Sequence, residues 1–517
     1  MSLLKSIATV GGWTMTSRIL GFVRDVMIAN VLGAGMIADA FFIAFKFPNL
    51  FRRLFGEGAM NAAFIPLFAG RLETEGKDAA RAFASDVAAV LTVWSLLLTL
   101  VFMAAMPWVM TVTAHGFVDQ PEKFSLTVEL ARITFPYLLF MVLAAFLSGM
   151  LNSVGKFAAA AAAPVILNII FISALLLIHF GYAALPGQTL SYAVAISGAL
   201  QFLMLVVACH KAGVMPVLPI PKMTPGVKKL LWLMAPGVFG AGVVQINVLV
   251  GDMLATLLEE GSVSYLYYAD RVNQLPLGVV GTAVGIALLP LLSRQVRAGN
   301  IEAATDSMNR ALEVSMILTI PAAVALVAMP DAVVTVLFQR GAFDAEAAEA
   351  TAGAMRAFAL GLPAYVLIKA LAPGFFARED TRTPVKIAIA AMAVNLVFAV
   401  VLMQFMAHIG IALATAISAW MNAGLLGFIL HRRGQFRIDA RLRRVMPRLK
   451  LSALVMGIAL FFAADAAKPW LGGGELLRAG ALAVLVFGGM ALYAVLVQVT
   501  GTADFREIKA MLRRKPT

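Results

Sequence analysis

The sequence predicts an all-α, polytopic membrane protein of about fourteen spans. Three observations carry that prediction. The 517-residue chain is 61% hydrophobic and 13% charged, too little charge for a soluble protein of this length. Apolar runs recur along it, each of the roughly 20 residues that a helix needs to cross a bilayer. No run alternates at period two, which speaks against an outer-membrane barrel.

The expected spans lie near 5–32, 36–70, 83–112, 125–151, 157–180, 188–209, 229–258, 262–293, 308–329, 350–376, 384–407, 409–430, 450–467 and 476–500. The first is read as a retained span: Arg18 and Arg24 interrupt it, and no clean small-residue cleavage site follows Lys5. The first, second, seventh and eighth exceed what a bilayer requires, so they should tilt, bend or protrude. Pro48, Pro66, Pro276 and Pro290 offer places to bend.

The formal net charge is +13. Its placement favours topology over nucleic acid. Connections after even-numbered spans are basic, with Arg71, Lys77 and Arg81, then Lys211, Lys222, Lys228 and Lys229, then Arg294, Arg297 and Arg310. Residues 432–450 carry eight Lys or Arg against Asp439 alone. Connections after odd-numbered spans are poor in base, with Lys123, Arg340 and Lys468 among several acids. The positive-inside rule then puts both termini in the cytoplasm, and the basic loops suit anionic lipid.

Features recur about 225 residues apart. Asp25 pairs with Asp252, Gly33 with Gly261, Pro66 with Pro290, Arg132 with Arg356, Gly149 with Gly374 and Asn168 with Asn395. Two halves in the same orientation imply parallel repeats about an axis along the membrane normal, an arrangement typical of transporters. The expected division is 1–220 and 221–431 for two six-helix lobes. A basic cytoplasmic linker at 432–450 and an added pair of spans with a basic tail at 451–517 follow.

The first two spans contain Arg18, Arg24, Asp25, Asp39, Lys46, Arg52, Arg53 and Glu57. An arginine at the bilayer centre costs roughly 2.5–3.5 kcal/mol on insertion scales, so these groups must face protein or water. Asp39, Lys46 and Arg53 recur every seven residues and share a helix face. Arg53 and Glu57 are i, i+4 neighbours. Gly21 offers a break that would turn Arg18 and Arg24 toward one cavity. Asp270 and Arg271 take a matching place in the second half. One reading makes all of these structural ion pairs: Arg24 with Asp25 or Asp39, Arg53 with Glu57, Arg271 with Asp270. The other notes that the cations outnumber the acids. A wet, cationic central cavity would take an anion, and arginine forks suit phosphate oxygens.

"SRILGFVRDVMIA", "GAGMIADAFFIAFKFPNLFRRLFGEGAMNAAFIPLF", "SVSYLYYADRVNQLPLGVVG" and "APGFFAREDTRTPVKIA" closely resemble the MurJ (MviN) family. These are lipid II flippases of peptidoglycan synthesis, within the multidrug/oligosaccharidyl-lipid/polysaccharide exporter superfamily. The resemblance covers essentially the whole chain. It implies two six-helix lobes plus two further helices, alternating access, and residence in the bacterial cytoplasmic (inner) membrane. It also implies a monomer among membrane lipids, with lipid II, an undecaprenyl-diphosphate-linked disaccharide-pentapeptide, as substrate.

By the same resemblance Arg18, Arg24, Arg52 and Arg271 are the substrate-binding residues. Asp25, Asp39, Lys46, Asn49, Arg53, Glu57, Ser264 and Asp270 are the expected cavity and gating set. The last two spans resemble the pair that forms a groove for the polyprenyl tail. A family sodium site would map to Asp252, Asn395 and Thr415, although Ala399 stands where a second carboxylate is expected. Where some relatives carry an acid, this chain has Gln274. Coupling to Na+ or H+ stays open, and no other cofactor is expected.

Enzyme chemistry has no support. The chain has no P-loop, HExxH or nucleophile elbow. Cys209 is its one cysteine, and the five histidines have no metal-ligand spacing. A cation-coupled drug exporter of the same superfamily is a rival, but its cavity would favour acids and aromatics over surplus arginine.

Overall fold

The computed structural model describes residues 3–54 and 60–502. Among the described residues every regular element is a helix. Nine stretches among them are long and apolar enough to cross a membrane. The chain is a multi-pass, all-α membrane protein.

Packing divides it into two compact units, Met1–Ser264 with Arg340–Phe343, and Tyr265–Gln339 with Asp344–Thr517. The first holds α1 (Leu3–Leu32), α2 (Met36–Phe51), α3 (Met60–Thr74), α4 (Gly76–Thr113), α5 (Pro121–Thr134), α6 (Tyr137–Ser153), α7 (Phe157–His179), α8 (Pro186–Ala212) and α9 (Pro225–Thr256). Here α1 packs on α7, α2 on α5, α6 and α7 on α8, and α3 on α4 and α6. Because α9 packs on α3 and α4, contacts group it with the first unit. The sequence repeat counts it in the second half.

The second unit is built from α10 (Ser262–Arg297), α11 (Ile301–Ala328), α12 (Pro330–Phe338), α13 (Ala345–Phe376), α14 (Arg382–Arg432), α15 (Ala440–Ala466), α16 (Lys468–Leu471) and α17 (Glu475–Val499). Here α13 packs on α14, α11 on α13 and α15, and α15 on α17. Met308 and Leu312 of α11, Leu371 and Phe375 of α13, and Leu426 and Leu430 of α14 share one buried cluster. Lipid tails are as apolar as these side chains, so close van der Waals contact holds such helices together. At Gly361 of α13 an added Cβ would lie 2.9 Å from the Cα of Ala416 on α14. Only glycine allows that approach.

Several expected spans are divided differently. The run 36–70 forms two helices: α2 ends at Phe51, and residues 52–54 make a turn of π-helix. The run 125–151 is split between α5 and α6 around Phe135 and Pro136. The boundary between the runs 384–407 and 409–430 falls where expected, since α14 breaks its helical geometry at Ala407 (φ 47°, ψ −131°). By contrast α10 continues through both Pro276 and Pro290. The second part of the basic 432–450 connection is helix as well: α15 starts at Ala440, where the Asp439 carboxylate accepts the Leu442 N–H at 2.6 Å.

Prolines inside helices leave a carbonyl four residues earlier without its usual donor. Neighbouring helices supply replacements. For Pro48 the vacated Ala44 carbonyl accepts from the Thr134 hydroxyl of α5 at 3.2 Å. For Pro107 the Met103 carbonyl accepts from Arg132 Nε at 3.1 Å. These bonds satisfy backbone groups that lipid cannot.

Candidate functional site

The predicted charges of the first unit fall into three clusters. The first is on α1. Arg24 is buried and turns its guanidinium onto Asp25: Nε and one terminal nitrogen donate to Oδ1 at 3.1 and 2.8 Å. Its other terminal nitrogen donates to Asn168 Oδ1 of α7 at 3.1 Å, and the group lies over the Phe171 ring at 5.3 Å. Asn168 in turn donates to the Ser17 carbonyl at 2.9 Å. The expected break at Gly21 does not occur, since α1 runs unbroken from Leu3 to Leu32. Gly21 faces Asn168 at ordinary contact distance, with Oδ1 3.6 Å from where a Cβ would stand. Arg18 is exposed.

The second cluster centres on Asp39 of α2, which is 1% exposed. Its Oδ2 accepts from Lys123 Nζ at 2.8 Å and from the Gly261 N–H at 2.8 Å. Its Oδ1 accepts from the Ser264 N–H at 3.0 Å and the Ser264 hydroxyl at 2.6 Å. A carboxylate at the amides of a turn that opens a helix is a favourable anion site. Nearby, Glu260 accepts the Met36 N–H at 2.8 Å and so serves the N-terminus of α2. Gly33 has φ +62°, and a Cβ there would meet the Ala342 carbonyl at 2.3 Å. The 340–343 segment is seated on that turn, with the Ala342 N–H donating to the Asn30 carbonyl at 2.9 Å.

In the third cluster Lys46 is ion-paired with Asp252 of α9, and Arg52 Nε donates to Asn49 Oδ1 at 3.0 Å. Asp39 and Lys46 lie within α2, but Arg53 falls in the π-turn, so the seven-residue register is not continued as α-helix. Arg53 is half-buried, and Glu57 lies outside the described residues.

In the second unit, Arg271 of α10 stacks over the Tyr267 ring at 4.6 Å. Asp270 accepts from the Gln274 side chain one turn on. The expected sodium ligands fit poorly. Asp252 belongs to the first unit and already faces the Lys46 ammonium. Asn395 and Thr415 belong to the second, and the Thr415 hydroxyl donates to the Ile411 carbonyl of its own helix at 3.0 Å. Lys46 thus neutralises the one anionic ligand of the set.

An apolar groove of about 450 Å³ runs between α11 and α15. Val324, Val327 and Ala328 form one wall; Leu454, Gly457 and Ile458, with Phe461 and Phe462, form the other. Its floor is tight, because a Cβ on Gly457 would lie 2.4 Å from Val324 Cγ1.

Sequence reasoning placed Lys123 in a connection and left Glu260 unremarked. Lys123 is 2% exposed and holds Asp39. Asn168 was visible only as a repeat partner. The stronger signal is its chemistry: one amide inside the apolar run of α7, which needs a polar partner in the membrane.

The family described as "Lipid II flippase MurJ" matches residues 28–479. The chain belongs to the MurJ family. It is 46% identical over 520 residues to the probable lipid II flippase MurJ of Rhizobium tropici, covering 100% of this chain and 97% of that protein. It is 35% identical over 461 residues to the lipid II flippase MurJ of Burkholderia cenocepacia, covering 88% and 89%. A solved structure titled "Lipid II flippase MurJ, inward closed conformation" superposes with a TM-score of 0.78 at 26% identity, covering 95% of this chain and 98% of that one. An inward-facing MATE family transporter of the MOP superfamily shares the fold, with a TM-score of 0.67 at 15% identity over 83% of this chain.

Proposed function

We propose that this chain is a lipid II flippase. It carries the undecaprenyl-diphosphate-linked disaccharide-pentapeptide from the inner to the outer leaflet of the bacterial cytoplasmic membrane by alternating access, as a monomer with both termini in the cytoplasm. It is a transporter, and no bond is made or broken. The observation that carries the reading is the match along essentially its whole length to relatives that bear this name. Two features of its own chemistry support it: arginines within apolar helices for a cationic cavity, and a groove with no polar lining for a hydrocarbon tail.

Arg18, Arg24 and Arg52, with Arg271, take the diphosphate-sugar headgroup. Asp25 Oδ1 alone accepts both donors of the Arg24 fork. A diphosphate displaces that carboxylate and offers two oxygens in place of one, so the guanidinium is never buried without a counter-charge. Asp39, held by Lys123 and by the 261–264 turn, acts as a latch whose release accompanies transport. Asn49 keeps Arg52 oriented, while Lys46 pairs with Asp252 and Asp270 stands next to Arg271 in the chain.

The tail groove expected of the last two spans, α15 and α17, shares only α15 with the apolar groove of this chain, whose other wall is α11. The tail stays in lipid and slides along that α11–α15 groove while the head is shielded. An anionic headgroup moving outward is favoured by an inside-negative potential, by about 2.3 kcal/mol per charge per 100 mV. That supplies a driving force without ATP, and no step is assigned to sodium.

The test replaces Arg24 or Arg271 by Ala in cells that depend on this protein and measures lipid II exposed on the outer leaflet. Exposure should collapse at normal protein levels. Lys replacements should fold yet transport poorly, because an ammonium lacks the planar fork. Unchanged exposure in the Ala variants would remove these residues from the mechanism.

A further inference from the structure

Pro321 sits inside α11 and has no N–H, so the Ile317 carbonyl lacks its helical donor. The Tyr493 hydroxyl of α17 donates to that carbonyl at 2.9 Å. Thr134 and Arg132 play the same part for Pro48 and Pro107. In both cases the donor's helix, α5, packs directly on the helix that holds the proline. Tyr493 differs. Its helix packs chiefly on α15, where Gly489 lets Leu460 approach to 3.0 Å of an added Cβ. One turn beyond Gly489, Tyr493 reaches past α15 to α11.

The place it reaches is next to the groove. Val324, Val327 and Ala328, one wall of the groove, begin three residues after Pro321. That wall therefore follows directly on the gap that Pro321 leaves in the α11 hydrogen-bond ladder, and the Tyr493 hydroxyl fills the gap at Ile317. Gly457 and Val324 approach so closely that an added Cβ would clash, so a small shift of α11 changes the width of the groove.

We propose that Tyr493 is a positioning residue for the polyprenyl tail: its hydroxyl ties down α11 at the hydrogen bond Pro321 cannot make and so sets the width of the α11–α15 groove for one linear isoprenoid chain. This rests on the reading of the groove as the tail site. The residue acts through α11 and need not touch the tail.

The experiment uses the purified full chain in proteoliposomes, with lipid II bearing either its undecaprenyl tail or a farnesyl tail. Tyr493→Phe keeps the ring and loses only the donor. It should slow the undecaprenyl substrate about three- to ten-fold, the range one hydrogen bond commands, and leave the farnesyl substrate unchanged. In a Pro321→Ala background the backbone supplies its own donor, so Tyr493→Phe should have no further effect whatever Pro321→Ala does alone. Equal slowing of both substrates, no slowing of either, or an undiminished effect of Tyr493→Phe in the Pro321→Ala background overturns the proposal. Ile458→Trp, which fills the groove, separates the two claims. If it spares the undecaprenyl substrate, the tail site itself is lost, and the role of Tyr493 with it. If it slows that substrate and Tyr493→Phe does not, only the role of Tyr493 is lost.

Discussion

Asp39 and Lys123 form an ion pair in which both side chains are almost wholly removed from solvent, at 1% and 2% exposure, with Nζ 2.8 Å from Oδ2. Lys123 lies in the first turn of α5, where the helix dipole disfavours a cation. Asp39 and the face of Phe117, 4.3 Å away, compensate. The pair is thus set by long-range contact against a local electrostatic preference.

Removing one member leaves a buried charge. Lys123→Met should lower the stability of the purified protein by about 3–5 kcal/mol, read by denaturant or thermal unfolding in detergent. Adding Asp39→Asn should recover part of that loss, since it removes the charge and its one oxygen still accepts from the Ser264 N–H, while its NH2 takes the place of the oxygen that faces Gly261. A Lys123→Met protein as stable as the parent would show that water or a different cation reaches Asp39.

Asp380 lies in the connection between α13 and α14. Hydrogen bonds from the Thr383 hydroxyl, then from the Arg433 guanidinium, then from the Thr383 N–H hold its carboxyl down at about 2. The unfolded chain protonates at its ordinary value, 3.8. The stabilisation is therefore complete above pH 3.8 and is lost as pH falls through about 2. The protection factors of residues 377–383, which discount the intrinsic pH dependence of amide exchange, should fall as pH drops from 3.8 through about 2 and stay level between pH 5 and pH 8. Asp380→Asn should show the lower protection throughout pH 5 to pH 8, and parent protection that falls towards neutrality would count against this assignment.

Ala407 is exposed and carries φ 47° and ψ −131°, a conformation that is the mirror image of an ordinary extended one. Strain of this kind costs about 1–3 kcal/mol for a residue with a Cβ. Ala407→Gly should raise stability by about 1 kcal/mol after the entropy of glycine in the unfolded chain is counted. A fall in melting temperature in detergent would contradict it.

The helical class was legible because apolar runs of bilayer length without period-two alternation leave few other folds. The break within α14 was visible as well, since the hydropathy dips beside Ala407, where the backbone turns. The pairing of Arg24 with Asp25 was legible as one of the ion pairs the sequence offers; the two stand about 100° apart on the helix, and the long arginine arm wraps around its surface to bond. Local rules missed other points. The arginine's second partner, Asn168, is 144 residues away, and no spacing rule reaches that far. Lys123 read as a loop charge because burial of a loop lysine depends on a carboxylate from another helix. Gly21 read as a break, yet α1 packs along α7 and stays helical through it.

Arg132 provides the last test, and it concerns why an arginine of α5 turns its guanidinium to the backbone of α4. Its Nε donates at 3.1 Å to the Met103 carbonyl, which Pro107 leaves vacant. If that is its purpose, the two residues are coupled. Arg132→Ala alone should destabilise the protein by about 1–3 kcal/mol, the cost of a carbonyl left unpaired in an apolar setting. In a Pro107→Ala background the restored backbone N–H takes the carbonyl, and Arg132→Ala should cost little. The double-mutant cycle should therefore return a coupling of about 1 kcal/mol or more, measured by unfolding in detergent. Independent effects would mean that Arg132 is kept for its charge at the membrane surface, and that the Met103 carbonyl is served by another donor or by water.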